Sequence, residues 1–283
     1  MTETPDVVWA DHAGFLAQAS RDDAEWYADV ARNLVDPADV LLVDVGCGGA
    51  GMAAALALAA PRADVVAIDG EAEVLDAARD HLDQVAPRVR TSRADLTDPA
   101  VLADVVGGGA DVVWASHVVH HAPDQQAAVD LLAGLLAPGG RLALAEGGLT
   151  SRHLPWDLGV GPPGLEMRLE AAQDRWFAAM RAGLPGAVRM PYGWTVALER
   201  AGLTDITTRS TLIERSAPLS GPDRSRIVDK LAHRVDHLRD TGMLEPAELE
   251  VWDRLLDPAS PDWLARRDDT FVLDARSVHV GRR

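Results

Sequence analysis

The sequence predicts a doubly wound α/β fold built on a mostly parallel sheet. An apolar strand at residues 41–45 runs into a glycine-dense turn at 46–51, and an alanine-rich helix follows at once. From residue 40 to 146, short apolar strands alternate with helical stretches, which is typical of a parallel sheet covered on both faces. The chain of 283 residues, with 47% apolar and 25% charged residues, has the composition of a globular protein.

The first 36 residues read as helical. Apolar residues recur at spacings of three and four over residues 10–19 and 22–34, and Asp36 with Pro37 closes the second run. We predict a separate N-terminal arm over 1–36, acting as a lid or as the contact in a homodimer.

Residues 37–283 are predicted to form one domain with seven strands and two helical cap insertions. Helices are expected at 53–60, 71–85, 100–106 and 125–136 between the first five strands. After residue 146 the alternation stops, and Gly- and Pro-rich loops and long helical runs take its place. The cap insertions are placed at about 147–190 and 216–265, and the last two strands at 205–213 and 271–280.

Charge and apolar runs exclude several classes of partner. The formal net charge is −17, Lys230 is the one lysine, and no basic stripe is visible, so we expect no nucleic-acid partner. The apolar run at 52–60 is too short to cross a bilayer, and we expect no membrane partner. With an acidic N-terminus and Cys47 as the single cysteine, we predict a cytoplasmic protein.

The turn at 46–51 is the strongest local signal for a nucleotide site. Gly46, Gly48 and Gly51 follow the G-x-G-x-x-G pattern, in which the backbone bends tightly and approaches a ligand closely. Asp69, about twenty residues on, also fits the fingerprint of an NAD(P)-dependent oxidoreductase. Asp44 stands two residues before the first glycine, where a dinucleotide-binding strand normally carries an apolar residue.

With Asp44 included, residues 41–51 resemble motif I of the class I S-adenosylmethionine (SAM) dependent methyltransferases. Segments that resemble the later motifs of this family follow in order at 65–69, 93–96, 111–116 and 138–144. The resemblance implies a Rossmann-like methyltransferase fold and SAM as cofactor. One departure from the motif is Ala50, which occupies the position of the family's third glycine. We expect an alanine to fit there if its φ stays negative.

The resemblance also implies roles for individual residues. Asp44 would anchor the glycine turn or reach the methionine ammonium, Asp69 would accept hydrogen bonds from the ribose, and Asp95 would frame the adenine. The donor-binding residues predicted in this way are Asp44, Gly46, Gly48, Asp69, Asp95, Leu96 and Ser116.

Three histidines follow the fourth strand: His117, His120 and His121. The segment 119–124 resembles the His-Asp-Trp segment of plant-type O-methyltransferases, which implies that His120 is the general base. It also resembles the His-His pair of ubiquinone-type C-methyltransferases, which implies no base. An alcohol or phenol is a poor nucleophile until its proton leaves, and imidazole titrates near neutral pH. We predict His120 as the base, with the alternative that it shapes the pocket or caps the next helix.

No metal site is predicted. The adjacent His120 and His121 point to different sides of a regular element, so they can hardly both ligate one ion with His117. His233 and His237 share a helix face at i and i+4, but they lack the H-E-x-x-H form and read as a solvated face.

Tryptophan is unusually frequent, with eight residues against two tyrosines. Several lie in the N-terminal arm and the first insertion, the segments that roof the substrate pocket in the family. We predict Tyr27, His117, His121, Trp156 and Trp194 as acceptor contacts, with packing of the cap onto the sheet as the alternative for the aromatic residues.

Taken together, these residues predict a SAM-dependent methyltransferase that acts on an oxygen of a small molecule in secondary metabolism. The alternatives are C- or N-methylation on the same fold, an NAD(P)-dependent oxidoreductase, or a SAM-binding protein that no longer methylates.

Overall fold

The computed structural model describes residues 9–283, and this part of the chain divides into two compact units. The sheet unit contains residues 9–146, 185–209 and 277–283. The helical unit contains residues 147–184 and 210–276. The described part of the predicted arm lies in the sheet unit, and the predicted insertions overlap the helical unit. Assembly into a homodimer stays a prediction.

Seven strands form a single sheet. Their bounds are β1 Leu41–Val45, β2 Asp64–Asp69, β3 Arg90–Arg93, β4 Ala110–Ser116, β5 Leu136–Arg152, β6 Thr204–Arg215 and β7 Val272–Arg282. The spatial order is β3-β2-β1-β4-β5-β7-β6, and β1 pairs in parallel with both β2 and β4. The predicted α/β fold with a mostly parallel seven-stranded sheet is confirmed. Because the strand order reverses between β1 and β4, a crevice opens at the carboxyl ends of these strands.

Ten α-helices connect and flank the strands in the described residues. They are α1 Ala13–Asp22, α2 Ala24–Leu34, α3 Gly51–Ala59, α4 Ala72–Val85, α5 Pro99–Val106, α6 Gln125–Gly134, α7 Leu165–Gly183, α8 Trp194–Arg200, α9 Gly221–Arg239 and α10 Pro246–Leu256. None of these helices is long and apolar enough to cross a membrane.

The core of the sheet unit explains why the central strands are so apolar. Val43, Val66 and Val113, on β1, β2 and β4, are completely buried because helices cover both faces of the sheet. Trp26 of α2 packs on Trp114 of β4, with ring centroids 6.0 Å apart, and only 7% of Trp26 is exposed. The indole of this arm residue is therefore part of the core.

The helical unit has a core of its own. Leu169 on α7, Leu231 on α9 and Trp252 on α10 are completely buried. A buried pair of side chains, His153 and Glu166, lies in the same unit, with Nδ1 and Oε1 2.9 Å apart. Amphipathic helices of this kind gain their stability from the burial of one face.

Candidate active site

A cavity of about 570 Å³ opens at the carboxyl ends of β1, β2 and β4, within the sheet unit. This is the edge where the ligands of doubly wound sheets bind, and the volume lies in the range of small-molecule sites. Among the described residues, its walls include Trp9, Leu16, Val45, Gly46, Gly48, Asp69, Asp95, Leu96, Ser116, His117 and His121.

Two glycines of the turn after β1 face the cavity and adopt left-handed backbone angles. Gly46 has φ +66°, and a Cβ there would lie 2.2 Å from Cγ2 of Val118. Gly48 has φ +50°, and its N–H donates to Oδ2 of Asp69 at 3.0 Å. A side chain at either position would be strained, and one at Gly46 would also collide with the cavity wall.

The next two glycines face the N-terminal helices instead. A Cβ on Gly49 would lie 2.5 Å from the carbonyl oxygen of Leu16, and one on Gly51 would lie 2.8 Å from Cε2 of Tyr27. The absence of side chains at these positions lets α1 and α2 pack directly onto the turn. Tyr27 is therefore not among the described residues that line the cavity, contrary to its prediction as an acceptor contact.

Ala50 corrects another expectation. Its φ is +57°, where we expected a negative value, and its N–H donates to the carbonyl of Cys47 at 2.8 Å. The residue is completely buried at the start of α3. A left-handed alanine costs about 1–2 kcal/mol, and the surrounding turn and helix hold it in place.

Asp44 lies beneath the turn and not in the cavity. It is 2% exposed, and its Oδ2 accepts the N–H of Ala53 in the first turn of α3 at 2.9 Å. Burial raises its pKa to about 7, the hydrogen bond from Ala53 opposes that rise, and the charge of Asp69 adds to it. Of the two roles predicted for Asp44, the geometry supports the anchoring of the turn.

Asp69 and Asp95 end β2 and follow β3, and both line the cavity. Asp69 accepts the N–H of Glu71 at 3.1 Å in addition to that of Gly48. Burial raises its pKa, against the opposing effect of these N–H groups. Oδ1 of Asp95 accepts both the N–H and the hydroxyl of Thr97, at 2.7 and 2.6 Å. Two carboxylates thus stand at the same wall of the cavity.

The histidine segment begins with a strained residue. His117 has φ +55°, which is rare for a side chain of this size, and it turns the chain out of β4. A 3₁₀ turn follows at Val119–His121. His117 and His121 line the cavity, whereas the ring of His120 lies behind them, with centroids 5.7 and 4.2 Å away. His120 is not among the described residues of the cavity lining, although 22% of its side chain is exposed.

Glu146, at the end of the apolar part of β5, holds this segment in place. Its Oε1 accepts the N–H groups of Val118 and Val119 at 3.0 and 2.9 Å, and its Oε2 lies 2.6 Å from Nδ1 of His120. Burial by itself raises the pKa of Glu146, but the hydrogen bond to His120, the charges of His120 and His117 and the N–H of Val118 lower it further than burial raises it. The carboxylate therefore stays ionised, and when it accepts Nδ1–H it leaves Nε2 of His120 as the basic nitrogen.

Sequence reasoning missed Glu146, although a signal for it was present. β4 and β5 are neighbours in parallel, and Ser116 pairs with Ala145 in register. The residues that follow them, His117 and Glu146, therefore lie side by side at the edge of the sheet. An acid directly after the apolar run of β5 is in reach of the histidines that follow β4.

Three further tryptophans of the arm and the first insertion are placed as follows. Trp9 lines the cavity and meets His121 edge to face, with centroids 4.9 Å apart. Trp194, at the start of α8, packs partly buried against the hydrophobic core of the sheet unit and not on the cavity. Trp156 belongs to the helical unit and is 68% exposed there. Its role as an acceptor contact stays a prediction.

A family model described as a methyltransferase domain matches residues 43–142, which run from β1 into β5 and carry the walls of the cavity. The chain belongs to the class I SAM-dependent methyltransferases. SAM is the methyl donor typical of this family, and the oxidoreductase alternative is set aside.

Some relatives of this methyltransferase carry the names of small-molecule enzymes. It is 28% identical to a trans-aconitate 2-methyltransferase of Methylobacterium radiotolerans, over 78% of this chain and 79% of that protein. It is 33% identical to a ubiquinone biosynthesis O-methyltransferase of Xanthomonas axonopodis pv. citri, over 39% of this chain and 44% of that protein. A solved phosphoethanolamine N-methyltransferase of Haemonchus contortus, in complex with SAM, superposes with a TM-score of 0.47 at 13% identity, over 92% of this chain and 52% of that one.

Proposed function

We propose that this methyltransferase transfers a methyl group from SAM to a hydroxyl oxygen of a small acceptor, with His120 as the general base. The observation that carries the proposal is the hydrogen bond between Glu146 and His120 directly behind the cavity wall. A carboxylate that accepts Nδ1–H orients the imidazole and stabilises its protonated form, which is what a base in proton transfer requires.

The donor side of the cavity fits SAM. The bare backbone of Gly46 and Gly48 allows the close approach of a ligand, and the carboxylate of Asp69 stands beside them to accept hydrogen bonds from hydroxyl groups. Asp95 and the backbone of Leu96 frame the adenine in this proposal, and Ser116 lies at the end of β4 on the same wall. When bound, SAM supplies an electrophilic methyl group whose transfer to oxygen leaves S-adenosylhomocysteine.

The acceptor side is the wall formed by His117, His121 and Trp9. This wall is small and partly aromatic, which suits a compact or planar acceptor. The relatives named for trans-aconitate and for an O-methylation of ubiquinone biosynthesis support an oxygen acceptor. Nε2 of His120 takes the hydroxyl proton as the oxygen attacks, which requires this ring to reach the acceptor between His117 and His121 of the wall. Action in secondary metabolism, in the cytoplasm, is part of the proposal and rests on the resemblance to small-molecule methyltransferases.

Two measurements test the proposal. Calorimetry with S-adenosylhomocysteine is expected to give one site per chain, and NADH is expected to give no heat of binding. Binding of NADH without S-adenosylhomocysteine would overturn the donor assignment.

Transfer of labelled methyl from SAM is then measured with catechol and with a simple amine of the same ring size. We expect product from the hydroxyl acceptor. Methylation of the amine alone would replace oxygen by nitrogen as the acceptor atom, and the role of His120 would fall with it.

A further inference from the structure

Three potential metal ligands converge at the carboxyl ends of β4 and β5. His117, His120 and Glu146 each offer one donor atom, and these atoms all lie within 4.8 Å of one another. His117 lines the cavity, so the cluster reaches its wall. No metal site was predicted from the sequence because the candidate ligands were three histidines of one segment, His117, His120 and His121. The third donor comes instead from the neighbouring strand.

We propose that His117, His120 and Glu146 form a binding site for one divalent transition-metal ion. Two imidazoles and one carboxylate are the ligands of Zn²⁺, Co²⁺ and Ni²⁺, whereas Mg²⁺ and Ca²⁺ favour sites made of oxygen atoms. Three protein ligands leave at least one coordination position for water or for an oxygen of an acceptor. The formal net charge of −17 adds a general attraction for cations.

The donor atoms need only small movements to close on an ion. Ligand atoms around a tetrahedral zinc at about 2.0–2.1 Å lie about 3.3 Å from one another. The separation of 2.6 Å between Oε2 of Glu146 and Nδ1 of His120 therefore opens by about 0.7 Å, and the widest separation shrinks by at most about 1.5 Å. His117 is exposed, so rotation of its side chain supplies the larger movement without disturbing the core.

Part of the site is already rigid. Glu146 is 1% exposed and is fixed by the N–H groups of Val118 and Val119. Rigid ligands lose little freedom on binding an ion. The metal-loaded form and the form in which His120 acts as a base exclude one another, so the metal site is tested by binding and not by turnover.

Protein stripped with EDTA is titrated with CoCl₂ while the visible spectrum is recorded, and ZnCl₂ binding is measured by calorimetry. We expect one ion per chain, visible d–d bands, and no thiolate charge-transfer band, because Cys47 is buried and outside the cluster. Zinc is also expected to raise the melting temperature.

Variants assign the ion to these ligands. His117→Asn keeps a side chain that tolerates a positive φ, and it is expected to weaken Co²⁺ binding at least about 10-fold. Glu146→Gln is expected to do the same, with circular dichroism confirming that it folds. His121→Ala is the matched control, since it removes a neighbouring histidine of the cavity wall and is expected to keep the ion.

A second possible metal site has to be excluded by mutation. His233 and His237 lie one turn apart on α9, in the helical unit, and such a pair can bind a transition metal by itself. The double variant His233→Ala/His237→Ala is expected to bind one Co²⁺ with unchanged spectrum. Loss of binding in this double variant, or binding that His117→Asn does not weaken, would overturn the proposal.

Discussion

Within residues 9–283, one glutamate–histidine pair of the sheet unit and one of the helical unit differ in what surrounds them. In the sheet unit, Glu146 holds His120, whose side chain is 22% exposed, at the back of the cavity wall. In the helical unit, Glu166 holds His153, whose side chain is 4% exposed. The local chemistry is the same, but the first pair lies next to His117 and His121, which line the cavity of its own unit.

The carboxylates of both glutamates accept hydrogen bonds from similar groups. Glu146 accepts two backbone N–H groups and a histidine nitrogen, and Glu166 accepts the N–H groups of His153 and Leu154 as well as Nδ1 of His153. In each case burial raises the pKa, and the hydrogen bonds and the histidine charge more than reverse that rise. From this comparison we predict that such a pair acts as a structural clamp when both side chains are buried, and that the more exposed His120 can act as a base.

The largest effect is expected from the replacement of the accessible histidine. His120→Gln is expected to lower kcat for catechol by about 10²–10⁴-fold, because proton removal from the hydroxyl is lost. Methylation of a carboxylate acceptor such as trans-aconitate is expected to change little, because that oxygen is already ionised at pH 7. The assays contain EDTA, so that no metal ion is bound at His120. An equal loss with both acceptors would contradict the role of His120 as base.

Replacement of Glu166 tests the buried pair of the helical unit. Glu166→Ala is expected to lower the free energy of unfolding by about 3–5 kcal/mol, since it leaves a buried histidine and two N–H groups without their acceptor. Glu166→Gln, which keeps one acceptor oxygen, is expected to lose less. Urea unfolding at pH 7 measures both.

The effect of Glu166→Gln is also expected to depend on pH. The pKa of Glu166 is lowered on folding from its usual 4.5, so its stabilising contribution is complete above that value and disappears as the pH falls through the folded pKa. The gap between wild type and Glu166→Gln should therefore narrow below about pH 4.5. A gap that stays constant down to pH 3 would rule out an ionised Glu166 as its cause.

Asp44 sharpens the comparison, because it is a buried carboxyl without a histidine. With one N–H donor, its pKa rises from 3.8 to about 7, so the folded state holds the proton that the unfolded state has lost. Stability therefore falls as the pH rises between these two values. Relative to Asp44→Asn, the wild type is expected to lose about 3 kcal/mol between pH 4.5 and 8. Urea unfolding across this range measures it, and parallel curves for the two proteins would refute it.

The smallest effect is expected at the residue that positions the base. Glu146→Gln removes the charge but keeps an oxygen for Val118 and Val119, so we expect kcat for catechol to fall about 10–100-fold. Glu146→Asp is expected to recover part of that rate. Because a merely structural loss would affect every acceptor, the rate with trans-aconitate serves as the control and is expected to stay near wild type.

The sequence by itself determined the fold, the donor motif and the family. These follow from signals that are local or repeat at short range: alternating apolar strands and helices, the glycine turn after β1, and acids placed at strand ends. The sequence could place four site residues at one edge of the sheet, because parallel strands end on the same side. These residues are Gly46, Gly48, Asp69 and Asp95.

Only the tertiary structure decided which groups meet across that edge and which aromatic residues are core. Glu146 is 26 residues from His120 in sequence, and their hydrogen bond depends on the register of two neighbouring strands. Trp26 and Trp194 became packing residues because helices bury whatever side chains face the sheet, and an aromatic ring serves packing and binding equally well. The left-handed angle of Ala50 is likewise imposed by the turn around it, against the preference of alanine itself.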